Sequence, residues 1–175
     1  MLYPRTLSAF ALCLFLGAVL AAQEMHPPAR STPAFDQLKS LAGEWEGKTS
    51  SGAAATKVTY TVVSNGSVVM EHLLPAKESE MITMYSVDGD RIAVTHYCAM
   101  GNQPTMQTDP LKAATGKYDF KFVRLGGAKS PDEAHMAALT LTILDKDHIT
   151  QTWTFDDHGK SMTDTFTYTR VKPPM

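Results

Sequence analysis

From Glu44 to Arg170 the chain alternates apolar and polar residues with a period of two, the pattern of strands buried on one face only. The strands predicted from it are Glu44–Thr49, Thr56–Val63, Val68–Leu74, Glu80–Val87, Arg91–Cys98, Thr105–Thr108, Lys117–Val123, Met136–Leu144, His148–Phe155 and Lys160–Arg170. Asn65-Gly66, Asp88-Gly89, Asp145-Lys146-Asp147 and Asp157-His158-Gly159 separate many of them, and Asn-Gly and Asp-Gly tolerate the positive φ of tight hairpins. Longer breaks fall at 99–104, 109–116 and 124–135. Ten short strands with such regular turns predict an antiparallel meander closed into a barrel, or else a sandwich. Ahead of them, "STPAFDQLKSLAG" predicts one short helix. Thr32 caps it, Pro33 opens its first turn, Phe35, Leu38 and Leu41 share a face, and Gly43 ends it. There is no internal repeat, heptad pattern or second-domain linker.

The hairpins set which side chains share a face. A turn at Asn65-Gly66 places Val58, Tyr60, Val62, Val69, Glu71 and Leu73 together on the more apolar, inner side. His72 falls outside. A turn at Asp88-Gly89 or Gly89-Asp90 places Met81, Thr83, Tyr85 and Val87 with Ile92, Val94, His96 and Cys98. Later strands add Phe120, Phe122, Leu139, Leu141, Ile143, Trp153, Phe155, Phe166 and Tyr168. The predicted interior is aromatic and aliphatic, with a few polar groups.

Upstream, Arg5 precedes an apolar run from Leu7 to Leu20, and Ala21 and Ala22 follow. This is the layout of a signal peptide over 1–22, cleaved near Ala21 or Ala22. The run is shorter than the ~20 apolar residues of a membrane span, so no stable span is expected after cleavage. Residues 23–31, with Pro27 and Pro28, read as a flexible leader, and 32–175 as a single domain. Localisation is therefore expected to be secreted or periplasmic. The formal charge of the 175-residue chain is −2, and no basic stripe points to nucleic acid. Cys13 leaves with the signal peptide and Cys98 remains alone, so an internal disulfide is excluded.

"LAGEWEG", Leu41 to Gly47, follows the short helix and opens the first strand, and "TYTR" closes the last. Gly43-Glu44-Trp45 with Arg170 resembles the Gly-x-Trp motif and terminal basic residue of lipocalin-like (calycin-type) barrels. The opening and strand count look most like the ten-stranded nitrobindin-like barrels, and the mature chain, including "HYCAMGNQP", resembles secreted bacterial proteins of DUF1579 type. The resemblance implies a closed up-and-down β-barrel with one short N-terminal helix. It also implies a structural closure by Gly43, Trp45 and Arg170, with a cation–π contact of ~0.5–2 kcal/mol. Nitrobindins bind haem through a histidine in the last strand. "SMTDTFTYTR" has none, so the haem function does not carry over, and haem would have to use His96 instead.

The candidate chemistry centres on "THYCAMGNQPTM", Thr95 to Met106. His96, Cys98 and Glu71 have the donor types of a zinc or copper site, although neighbours on one strand face are not a recognised ligand spacing. The plainer reading is a buried histidine bonded to Glu71 or a tyrosine. Asn102 and Gln103 read as a loop satisfying its own backbone, and Gly126-Gly127 as a turn. The expected function is reversible binding, without catalysis, of a small apolar or amphipathic ligand, in a cavity lined by Tyr60, Glu71, Tyr85, Val94, His96, Phe120 and Trp153. No cofactor is expected. The alternatives are a metal- or haem-dependent enzyme or sensor at His96, Cys98 and Glu71, and an envelope interaction module with a filled barrel.

Overall fold

A computed structural model describes residues 29–50, 56–75 and 79–172. The segments expected to be a signal peptide (1–22) and, for the most part, a leader (23–31) lie outside the described residues. Helix α1 (Pro33–Lys39) is followed by β1 (Gly43–Thr49), β2 (Thr56–Val63), β3 (Val68–Leu74), β4 (Met81–Asp88) and β5 (Arg91–Tyr97). Then come β6 (Gln103–Gln107), β7 (Lys117–Gly126), β8 (His135–Ile143), β9 (His148–Asp157) and β10 (Lys160–Arg170). Every strand pairs antiparallel with its sequence neighbours, and β10 pairs with β1, closing a ten-stranded up-and-down barrel without a sheet edge. The sandwich alternative is thereby excluded. Among the described residues no helix is long and apolar enough to cross a membrane.

Thr32 caps α1, its hydroxyl accepting from the Phe35 amide at 3.1 Å. Ala34, Phe35 and Leu38 are buried, so the helix plugs the end of the barrel at which β1 begins. Tyr118 of β7 donates to the Ala34 carbonyl at 3.3 Å. At the same end Trp45 and Arg170 are direct partners across β1 and β10. The Arg170 guanidinium lies 4.1 Å from the centroid of the Trp45 ring. It also donates to the carbonyls of Ser40, Ala42 and Lys146 at 2.8–2.9 Å. Trp45 Nε1 donates to the Leu41 carbonyl at 2.9 Å. Gly43 has a φ of +131°, and a Cβ there would meet Arg170 Nη1 at 2.9 Å, so the first residue of the motif leaves room for its last.

Four local expectations change. Strand β6 starts at Gln103, two residues before the predicted Thr105. Pro104 is tolerated in it because β6 pairs with β5 only from Thr105 onward, so the missing N–H breaks no bond on that side. Cys98 lies beyond β5, its amide donating to the Asn102 carbonyl at 3.1 Å to close a tight loop. Phe122 is 41% exposed rather than interior. Phe122 is still the partner of the buried Met106, but it lies past Lys121, the last β7 residue paired with β8, where the barrel wall opens. Phe122 then packs on the His135 ring, 4.6 Å between centroids. Val62 emerges because it lies past Tyr60, the last β2 residue paired with β1.

Candidate functional site: a polar network inside the barrel

Three adjacent strands place Glu71 (β3), Thr83 (β4) and His96 (β5) in one row on the inner face, Glu71 paired with Thr83 and Thr83 with His96. All three are buried. Gln151 and Trp153, both on β9, approach from the far side of the barrel. Gln151 Nε2 donates to Glu71 Oε2 at 2.8 Å and to the Tyr60 hydroxyl at 2.7 Å. The Tyr85 hydroxyl donates to the same Glu71 oxygen at 2.6 Å. Trp153 Nε1 donates to Gln151 Oε1 at 3.2 Å, and its ring lies 4.9 Å from that of His96. Phe120 meets Tyr85 edge-on at 5.8 Å, and Val94 is the strand partner of Tyr85.

The electrostatics follow from burial. An ionised carboxylate removed from water costs several kcal/mol unless donors compensate. Burial raises the carboxyl of Glu71 above its ordinary range, against the pull of hydrogen bonds from Tyr85, Gln151 and Tyr60. The Tyr60 and Tyr85 phenols are pushed well above their usual value by burial and by the nearby carboxylate, so both remain neutral donors. Burial lowers His96 to about 4, which keeps the imidazole neutral at physiological pH. Its Nδ1 is 2.9 Å from the Thr83 hydroxyl.

Two atoms of this network are left over. Glu71 Oε1 and His96 Nε2 are both buried and have no hydrogen-bond partner. Side chains that are 1% and 2% exposed rarely leave polar atoms unmatched, since each costs about 1–3 kcal/mol. Asn102 Oδ1 is the third such atom among the described residues. Asn102 is not a self-contained loop residue: its amide donates to Glu133 Oε1 at 3.1 Å and the Ala134 carbonyl at 2.9 Å, tying the β7–β8 loop over the β5–β6 turn.

The structure therefore gathers Tyr60, Glu71, Tyr85, His96 and Trp153 around one network, with Phe120 and Val94 as apolar wall. Cys98 stands apart at the rim, half-buried and packed against the core. Among the described residues no group of three or more His, Cys, Asp or Glu is close enough to hold a metal ion, so His96, Cys98 and Glu71 do not form a ligand cluster. The histidine's hydrogen bond goes to Thr83, not to Glu71 or a tyrosine. Gln151, the hub of the network, was missed in the sequence reading. Its signal was a polar residue on the inward phase of β9, between Ile149 and Trp153.

No family model and no curated protein matches the chain. Among solved structures it is similar to Rv2717c from M. tuberculosis, with a TM-score of 0.56 and 13% identity over 82% of this chain and 100% of that one. It is also similar to a protein of unknown function from the DUF3598 family of Nostoc punctiforme, with a TM-score of 0.50 and 13% identity. That match covers 85% of this chain and about half, 53%, of the other. At such identity the likeness shows the fold alone. Fold and interior together define a closed ten-stranded antiparallel barrel built around a buried polar network, an architecture compatible with ligand binding.

Proposed function

We propose that this protein binds a small, largely apolar molecule reversibly inside its barrel, without covalent chemistry, after export to the periplasm or beyond. The observation that carries the reading is the pair of buried, unmatched polar atoms, Glu71 Oε1 and His96 Nε2, within a wall of Tyr60, Tyr85, Phe120 and Trp153. Binding pockets combine an apolar wall with a few placed polar groups that fix orientation. Covalent chemistry has less support, because His96 bonds Thr83 and Cys98 sits on the rim. Export rests on the apolar run after Arg5 and on the resemblance of the chain that follows it to secreted DUF1579-type proteins.

Native mass spectrometry of protein secreted by its host, with no metal added, tests this. The expected result is a discrete extra mass of one small organic molecule, and a mature N-terminus following Ala21 or Ala22. A bare mass, together with failure to bind an uncharged fluorescent apolar probe such as N-phenyl-1-naphthylamine, overturns the binding reading. An adduct of haem or metal mass that disappears in His96→Ala replaces it with the cofactor-dependent alternative.

A further inference from the structure

Resting on the binding reading above, we infer that the barrel selects a protonated amine, its ammonium held at Glu71 and its hydrocarbon against Trp153, Tyr85 and Phe120. The first ground is the sign of the interior. Among the described residues the buried polar side chains include one acid, Glu71, and no lysine or arginine. His96 is neutral, so it supplies no positive charge. A ligand carboxylate would meet Glu71 without any counter-ion, in a medium that strengthens their repulsion. A neutral alcohol satisfies one acceptor and leaves the buried acid uncompensated. An ammonium supplies both the missing charge and up to three donors.

The second ground is geometric. Glu71 Oε2 already accepts from Tyr85 and Gln151, so Oε1 is the oxygen left for a ligand. When His96 Nδ1–H donates to the Thr83 hydroxyl, Nε2 is an acceptor as well, and it too is unmatched. The two residues flank Thr83 in one row, their backbones roughly 10 Å apart at the spacing of paired strands. Glu71 Oε1 and His96 Nε2 are thus both acceptors left open on the same row of the inner face. The titratable groups around Glu71 are Tyr60 from β2, Tyr85 from β4, Tyr168 from β10 and, along the row, His96 from β5. None of them is cationic near neutral pH.

The test is calorimetric titration of the delipidated mature protein at pH 7.5 with octylamine, 1-octanol and octanoate, which share a chain and differ in the head group. Octylamine is expected to bind with one-to-one stoichiometry and about tenfold or more tighter than 1-octanol, with octanoate weakest. Glu71→Gln should remove most of the preference for octylamine over 1-octanol. Equal binding of the three, or tightest binding of octanoate, overturns the amine inference and leaves the binding reading standing. Binding of none of the three, nor of the fluorescent probe, overturns both. The wild-type preference decides the question even where Glu71→Gln fails to fold.

Discussion

Gln151 on β9 reaches across the barrel to Glu71 on β3 and bonds its carboxylate at 2.8 Å. β9 and β3 are not neighbours: β10, β1 and β2 lie between them on one side. The contact therefore holds opposite walls of the barrel together through a buried carboxyl oxygen. Replacing Gln151 with Leu keeps the volume but removes a donor from Glu71 and from Tyr60, and should cost about 2–3 kcal/mol. Equilibrium urea unfolding checks this. A loss below half a kcal/mol would show that the bridge contributes little.

The two buried titratable groups pull stability in opposite directions with pH. His96 is lowered from 6.5 to about 4 on folding, so the unfolded chain takes up its proton first. Its contribution is fully present above pH 6.5 and is lost as pH falls toward 4, by about 3 kcal/mol in all. Glu71 is raised on folding, so its contribution is greatest below its ordinary value of 4.5 and declines as pH rises through its folded value. In His96→Phe the fall in stability from pH 6.5 to 4 should flatten. In Glu71→Gln stability relative to wild type should increase from pH 4.5 to 7.5. Unfolding curves across this range give both signs.

Arg170 and Trp45 close the helix end of the barrel. Arg170→Ala removes the contact with the indole and frees three backbone carbonyls, of Ser40, Ala42 and Lys146. A loss of about 2–4 kcal/mol is expected. Arg170→Lys should recover only part of it, because an ammonium cannot span the same fork of acceptors. Guanidinium-induced unfolding of the two variants measures the difference.

Gly47 lies under the ring of Tyr168, where an added Cβ would stand 2.3 Å from Cδ1 and 2.5 Å from the Thr167 carbonyl. The carbonyl is backbone and cannot rotate away. Gly47→Ala should therefore destabilise by about 1–3 kcal/mol or split the β1–β10 pairing, seen as a lower melting temperature and as faster amide exchange along β1.

Asn102 acts at the opposite end. Asn102→Ala removes its bonds to Glu133 and Ala134, and Glu133 in turn accepts from the Lys129 amide at 2.8 Å. The β7–β8 loop should lose about 1–2 kcal/mol of local stability. Hydrogen exchange should then rise at Lys129 and remain unchanged at the Trp45 end.

The alternation of apolar residues, the Asn-Gly and Asp-Gly turns and the Thr32-Pro33 helix start were enough to determine strand number, the register of the Asn65-Gly66 hairpin and most of the inward face. Each is a local property of the chain: side chains alternate with a period of two, and a hairpin's turn sets which residues oppose each other. Tyr60, Glu71, Tyr85 and His96 were legible as inward-facing for that reason. Only the closed barrel decided which strands face each other across its interior. Gln151 and Glu71 are 80 residues apart, and no period or turn records that they meet. Closure likewise decided that Glu71 Oε2 is satisfied while Oε1 is not, and that His96 bonds Thr83 rather than Glu71. The start of β6 and the exposure of Phe122 depart from the pattern because they depend on how far β6 and β7 stay paired with each neighbour. Partner choice between strands is settled by the whole sheet, where distant residues compete for the same backbone hydrogen bonds.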